Sequence, residues 1–402
     1  MTPDTRKRIL ERKPEQGFPA EPQLGGWYAE AEIEATVKAI RDSMDYRVGF
    51  GFNVDEIVEF ENAFAAYCGT KHAISLVTAS VGLDIAMMTL DLQPGDEVIT
   101  PALNFKACAL AIAGQGGKPV LCEVDPRTFN ADPSDVERRI TDRTRAILPV
   151  HMNGLSAPMD DYLEIADRHP HPEHGPLKVI GDAARACGGG YKGTKIGKRG
   201  WMTVFSFHTM KLMTTLGEGG MITTDDDELA NKIRNIRQWG GGKEWGTSYK
   251  ITKPQAAVGS VQLSRLDDMI AQRVQRAHER QQMLDGLEEL TWTYEPPECD
   301  HTYYLNTLLV PSDWAGEKRN RLQALLSDAY GVGTMVGNPP IWENHAYLNT
   351  HIEGQQDTLP VSIETANRLF CVSLHPLMTE EENEYIAAAL WDAVSRIREG
   401  AA

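Results

Sequence analysis

Apolar positions recur at helical spacing in two stretches near the start of the chain. Ile33, Val37 and Ile40 predict a helix over Ala29–Asp42. Ile57, Val58, Phe60 and Phe64 predict another over Val54–Tyr67. Short apolar runs then alternate with helix-like stretches: Ala73–Val77, Glu97–Thr100, Pro119–Val124, Ala146–Val150, Val179–Gly181, Val204–Phe207 and Met221–Thr224. Several runs are continuous rather than alternating in polarity, as in strands covered on both faces. Strands separated by helices predict a mostly parallel α/β sheet. Ligands of such sheets sit at the carboxyl ends of the strands, so the residues just past each run are the candidates for chemistry.

From Pro254 a helical pattern runs to about Leu290 through Val258, Val261, Leu266, Ile270 and Leu284, and it reads as a connecting helix. Beyond it come a strand candidate at Tyr303–Val310, a helix over Lys318–Tyr330, a strand candidate at Leu369–Leu374 and a final helix over Thr379–Arg398. The chain therefore divides into a large α/β unit, residues 1–265, and a smaller C-terminal α+β unit, residues 266–402. Residues 1–25 show no clear periodicity and read as an arm.

Composition narrows the function classes. A net charge of −17 over 402 residues argues against a nucleic-acid partner, which wants a basic face. No apolar run approaches the roughly 20 residues of a membrane span. The charged start, MTPDTRKRILERKPEQ, has no apolar core of a secretory signal. The six cysteines match no zinc spacing and read as reduced thiols, so no metal is expected and the cytoplasm is the expected compartment.

Four strand ends carry candidate chemistry. After Val204–Phe207 come His208, Thr209, Met210 and Lys211, then the turn Gly217-Glu218-Gly219-Gly220. A lysine that acts as a Schiff-base nucleophile must be partly neutral, and a strand-end loop at the base of a cleft shields it. Taken alone, the same lysine reads as a surface residue on a strand connection. The strand Val179–Gly181 ends in Asp182, followed by small residues. A carboxylate there suits the ring nitrogen of pyridoxal phosphate (PLP), which must stay protonated to accept electrons, although a strand-end Asp also caps helices. Thr78, Ala79 and Ser80 open an apolar helix and offer backbone N–H groups to a phosphate, or plain N-capping. Phe105, past Glu97–Thr100, suits a flat ring as a stacking partner, or the core. All four fall at strand ends of one sheet, in the order phosphate cup, ring stack, ring-nitrogen partner, lysine.

The chain resembles the DegT/StrS family of PLP-dependent sugar aminotransferases from about Gly25 to Trp391, through PGDEVITPALNF, TRAILPVHMNG, VIGDAARACGGGYKGTKIG, FSFHTMKLMTTLGEGGMITTDD, YKITKPQAAVGSVQL and VSLHPLMTEEE. The resemblance implies the type I PLP-transferase fold, with a seven-stranded large domain and a smaller C-terminal domain. It implies a homodimer with shared active sites. Lys211 would hold the cofactor, Asp182 would meet the pyridine nitrogen, Phe105 would stack on the ring, and Ala79, Ser80 and Ser206 would bind the phosphate. Lys250 stands where the family sends a residue to the phosphate of the other subunit. The chain departs from the family at Thr78-Ala79-Ser80, at Thr209, and at Arg185, where a glutamine near the cofactor's phenolic oxygen is usual. Dehydratase members carry histidine at the position of Lys211, so the lysine favours amine transfer.

The expected reaction moves an amino group from an amino acid, Glu or Gln, to a keto-sugar carried by a nucleotide. A keto-cyclitol or other non-nucleotide ketone is the alternative acceptor, and a non-catalytic regulatory paralogue the alternative role. Substrate candidates are Trp27, Tyr28, His208, Asn338 and His345. Trp342 and His345 read equally as loop packing, and His151 equally as a core histidine or a group facing the cofactor.

Overall fold

The computed structural model describes residues 1–343 and 345–400. Its centre is a seven-stranded sheet. The strands are β1 (His72–Leu76), β2 (Glu97–Pro101), β3 (Lys118–Cys122), β4 (Thr144–Ile147), β5 (Lys178–Asp182), β6 (Met202–Ser206) and β7 (Gly220–Thr224). Each overlaps one of the expected apolar runs. Their order is β1-β7-β6-β5-β4-β2-β3. Only β7 runs antiparallel, against both β1 and β6. The connection between Ser206 and Gly220 holds no helix to carry the chain back across the sheet, as a parallel crossover usually does. Every residue of β2, β6 and β7 is buried, which is why these runs lack alternation.

The helices are α1 (Pro3–Leu10), α2 (Glu30–Asp42), α3 (Asp55–Cys68), α4 (Ala79–Leu90), α5 (Lys253–Met283), α6 (Glu317–Tyr330) and α7 (Glu380–Arg398), with shorter ones between them. Thr78 caps α4 by accepting a hydrogen bond from the Val81 amide. Gly69, at φ +73°, ends α3 in the left-handed conformation. Thr379 and Glu382 form a capping box at the start of α7.

A second sheet is antiparallel and four-stranded: β8 (Thr291–Trp292), β9 (Asn306–Leu309), β10 (Thr334–Met335) and β11 (Leu369–Val372), in the order β8-β9-β11-β10. It packs with α6 and α7 into its own hydrophobic cluster around Leu308, Leu322, Phe370, Leu390 and Val394. The larger cluster lies against the seven-stranded sheet, around Phe60, Phe64, Ile74, Val204, Phe205 and Phe207.

Three boundaries differ from the sequence-based expectations. The arm holds the helix α1, whose Ile9 is buried in the second cluster. Eight residues show too little periodicity on their own, and packing supplies the stability that propensity does not. Helix α5 stops at Met283 rather than near Leu290, and Gly286 at φ +85° turns the chain into β8. The strand expected from Tyr303 starts at Asn306, because Tyr303 sits at φ +50°. No helix among the described residues is long and apolar enough to cross a membrane.

Candidate active site

The first half of the site is assembled by strand pairing. Asp182 closes β5 and pairs with Val204 of β6, and Ser206 at the end of β6 pairs with Gly220 of β7. Gly220 in turn pairs with Leu76 at the end of β1, just before the start of α4. A Cβ on Gly220 would lie 2.6 Å from the Thr78 carbonyl atoms and 2.7 Å from the Ala79 nitrogen. So Ala79, Ser80, Ser206 and Gly220 converge on the N-terminus of α4, where free N–H groups and the helix dipole favour an anion.

Asp182 is buried. Its Oδ1 accepts from the Ala184 amide at 2.9 Å, and its Oδ2 accepts from the Cys108 thiol at 3.1 Å. Cys108 lies in the helix that follows Phe105, so this bond ties the ring-stacking loop to the carboxylate. Burial, with the nearby Asp182, raises the thiol well above its ordinary range and keeps it a donor. The ring of Phe105 is 56% exposed and faces open space rather than the core.

Lys211 sits in the loop between β6 and β7. The loop is braced by Thr214 Oγ1, which donates to the Phe207 carbonyl at 3.0 Å, and by Thr215 Oγ1, which donates to that of Glu218 at 2.6 Å. Gly25 of the arm packs directly on it, and a Cβ there would lie 2.2 Å from the Lys211 carbonyl oxygen. The Lys211 amine donates to Tyr304 Oη at 2.8 Å. Burial, with the neighbouring Arg185 guanidinium, pushes that amine down to about 8. A lysine held there carries a useful fraction of free amine near neutrality.

Arg185 donates through one nitrogen to Asn153 Oδ1 at 3.0 Å, to the Gly337 carbonyl at 3.1 Å and to Asn338 Oδ1. Asn338 is fully buried and also donates to Asn153 at 3.0 Å. Of the substrate candidates, Asn338 reaches the Lys211 neighbourhood through Arg185, and the His208 carbonyl accepts from the Lys211 amide at 2.9 Å. His208 accepts from the Met210 amide at 3.4 Å and lies 4.0 Å from Glu218. His345 accepts from the Leu348 amide at 3.3 Å and so caps a short helix, the loop-packing alternative. Tyr28 is exposed, and Trp27 lies partly buried beneath Arg265. His151 is buried and its Nδ1 accepts from the Ala157 amide at 3.1 Å. Burial pushes its ring down to about 3, so it stays neutral.

Lys250 lies away from these groups, on an exposed aromatic face. Its amine sits 3.9 Å from the Trp239 ring centroid and 5.2 Å from that of Phe52. Sequence reasoning did not single out Tyr304, Glu21, Asn153 or Cys108 as site residues. Tyr304 is 93 positions from Lys211, and no local motif marks it.

The residues fit a PLP: a buried carboxylate, a shielded low-pKa lysine, and the N-terminus of α4 brought close to β7 by the backbone approach at Gly220. A family model described as the DegT/DnrJ/EryC1/StrS aminotransferase family matches residues 29–391. The chain belongs to that family. It is a PLP-dependent aminotransferase. A GDP-perosamine synthase of Caulobacter vibrioides is 47% identical over 224 residues, 54% of this chain and 58% of that protein. The dTDP-3-amino-3,4,6-trideoxy-alpha-D-glucose transaminase of Streptomyces venezuelae is 35% identical over 91% of this chain and 93% of its own length. The crystal structure of S. venezuelae DesV, in complex with a ketimine intermediate, superposes with a TM-score of 0.80 at 32% identity. That match covers 95% of this chain and 99% of DesV.

Proposed function

We propose that this aminotransferase moves an amino group from glutamate or glutamine to the ketone of a nucleotide-linked sugar. The observation that carries the reading is the Lys211 amine, shielded, lowered to about 8 and set beside Arg185, with Asp182 on the adjoining strand. The names of the sugar-nucleotide relatives support the acceptor class. When bound, PLP supplies the electron sink for breaking the C–H bond next to the donor nitrogen. Lys211 would hold the cofactor through its amine and would serve as the general base and acid that moves the proton. Asp182 would keep the ring nitrogen protonated, and the Cys108 thiol, which donates to it, fixes that carboxylate in place. The backbone at Ala79 and Ser80, with the Ser206 hydroxyl, would hold the phosphate. Phe105 would pack on the cofactor ring. Arg185 would bring a fixed cation to the cofactor where the family usually has a neutral amide.

The protein acts in this reading as a homodimer with shared sites. Tyr46, Phe52 and Trp245 are 93%, 64% and 63% exposed, and Phe52 packs edge-on against the half-exposed Trp239 ring. Lys250 lies over the Phe52 and Trp239 rings, and in this reading it reaches the phosphate of a second copy. The two hydrophobic clusters support a division within α5, near residue 265, with α1 riding on the smaller unit. The free cysteines support a cytoplasmic setting.

The test is direct. Borohydride treatment of purified protein should leave a pyridoxyl adduct on Lys211, seen by peptide mass spectrometry. The aminated form should then lose its amino group to a nucleotide-linked keto-sugar. Amine product from keto-cyclitols and none from nucleotide-linked ketones overturns the acceptor. Donor turnover that survives Lys211→Ala overturns the mechanism.

A further inference from the structure

We infer that Tyr304 and Glu21 form a proton path between the Lys211 amine and solvent, with Tyr304 as a further catalytic residue and Glu21 as its positioning partner. The inference rests on the reading of Lys211 as the cofactor-binding amine and adds two groups to it.

The geometry is a chain of two hydrogen bonds. Lys211 Nζ donates to Tyr304 Oη at 2.8 Å, and Tyr304 Oη donates to Glu21 Oε1 at 2.5 Å. The Lys211 amine also lies 4.6 Å from the Tyr304 ring centroid, so the phenol covers it. Tyr304 is buried, while Glu21 on the arm is only half-buried. A proton leaving Nζ for Oη, as the phenol's own proton passes to Oε1, leaves a neutral amine, an unchanged phenol and a neutral carboxylic acid. Charge and protons balance without any co-reactant, and the half-buried acid returns its proton to water.

The surroundings favour that direction. Arg185 faces both the Lys211 amine and Tyr304, and its charge repels a proton from the pair. Arg273 faces Tyr304 from α5, and Asp182 and Glu21 are the acidic groups near Lys211. The Cys371 thiol of β11 faces Arg185 and Glu21.

The chain also spends free energy to put Tyr304 there. Tyr303 occupies φ +50°, a left-handed conformation unusual for an aromatic residue. It is held by the His301 ring, which accepts from the Tyr303 amide at 2.8 Å and stacks on the Tyr303 ring at 4.1 Å. Gly154 allows the approach, since a Cβ there would lie 2.8 Å from the Tyr304 nitrogen. Strain that surrounding contacts over-determine marks a placement the fold maintains.

The test uses the full chain, with Tyr304→Phe and Glu21→Gln. The first readout is the pH profile of Lys211 reductive methylation in cofactor-stripped protein, followed by peptide mass spectrometry. The second is the single-turnover rate of the loaded protein with amino donor. Both substitutions remove a group that stabilises the Lys211 cation, so each should move the labelling midpoint to lower pH. Each should also slow single turnover, by about tenfold or more, as expected when a positioned proton-transfer group is lost. A Glu21→Gln protein with the wild-type midpoint and rate overturns the path, even if Tyr304→Phe fails to fold. If the wild-type protein forms no borohydride-stable adduct on Lys211, the function reading has failed. If the adduct forms and both variants behave as wild type, only the proton path has failed.

Discussion

At Lys211 the controlling quantity is the cost of keeping an ammonium out of water beside another cation. Burial and Arg185 both favour the neutral amine, while Glu21 and Asp182 pull the other way. The net result is an amine near 8 rather than 10.5. Arg185→Gln removes the repelling charge and retains a donor for Asn153, so the Lys211 labelling midpoint should rise by about one unit. The sign is opposite to that expected for Glu21→Gln. Below its pKa the amine is protonated and inert, so the variant should lose about tenfold in single-turnover rate at pH 7. That profile, against wild type over pH 6–10, checks the prediction. Lys211, Asp182 and Phe105 were legible in the sequence because each stands at or within a few residues of a strand end. Tyr304 and Glu21 were not, because they are 283 positions apart and only the folded chain brings them together.

At the scale of elements, the proposed phosphate cradle depends on how closely β7 approaches the start of α4. Gly220 permits that approach. In Gly220→Ala the new methyl would meet the Thr78 carbonyl at 2.6 Å, and backbone cannot move aside as a flexible side chain does. The expected loss is about 1–3 kcal/mol of stability, measured by urea unfolding. Affinity for PLP should fall with it, because the amides of Ala79 and Ser80 shift with the helix. The strands themselves were legible, since continuous burial on both faces writes an apolar run into the chain. The reversed direction of β7 was not, because an apolar run carries no sign of its polarity. The end of α5 was misplaced for a related reason: apolar residues such as Leu284, Leu287 and Leu290 extend the helical pattern, yet they pack in the second cluster beyond the helix.

At the scale of the molecule, the proposed dimer would rest on the exposed aromatic residues Phe52, Trp239 and Trp245. Trp245→Glu places a charge in the proposed interface and touches no group of the site. It should convert the dimer to a monomer in light scattering at micromolar concentration. PLP affinity should fall by about tenfold in the same variant, since a charge-assisted contact is worth about 1.5–3 kcal/mol and the partner copy would no longer supply Lys250. A variant that remains dimeric, or a monomer with unaltered cofactor affinity, counts against the shared site.

The sequence by itself determined the sheet, the place of the lysine, the carboxylate and the phosphate loop, and the family to which they belong. These are written locally, as apolar runs with chemistry just past their ends. Tertiary structure alone decided the surroundings of Lys211: the phenol and carboxylate that receive its proton, the asparagines that hold Arg185, and the glycines that allow backbones to meet. Such contacts join residues far apart in the chain, and their free energy depends on burial and distance, which no local pattern encodes.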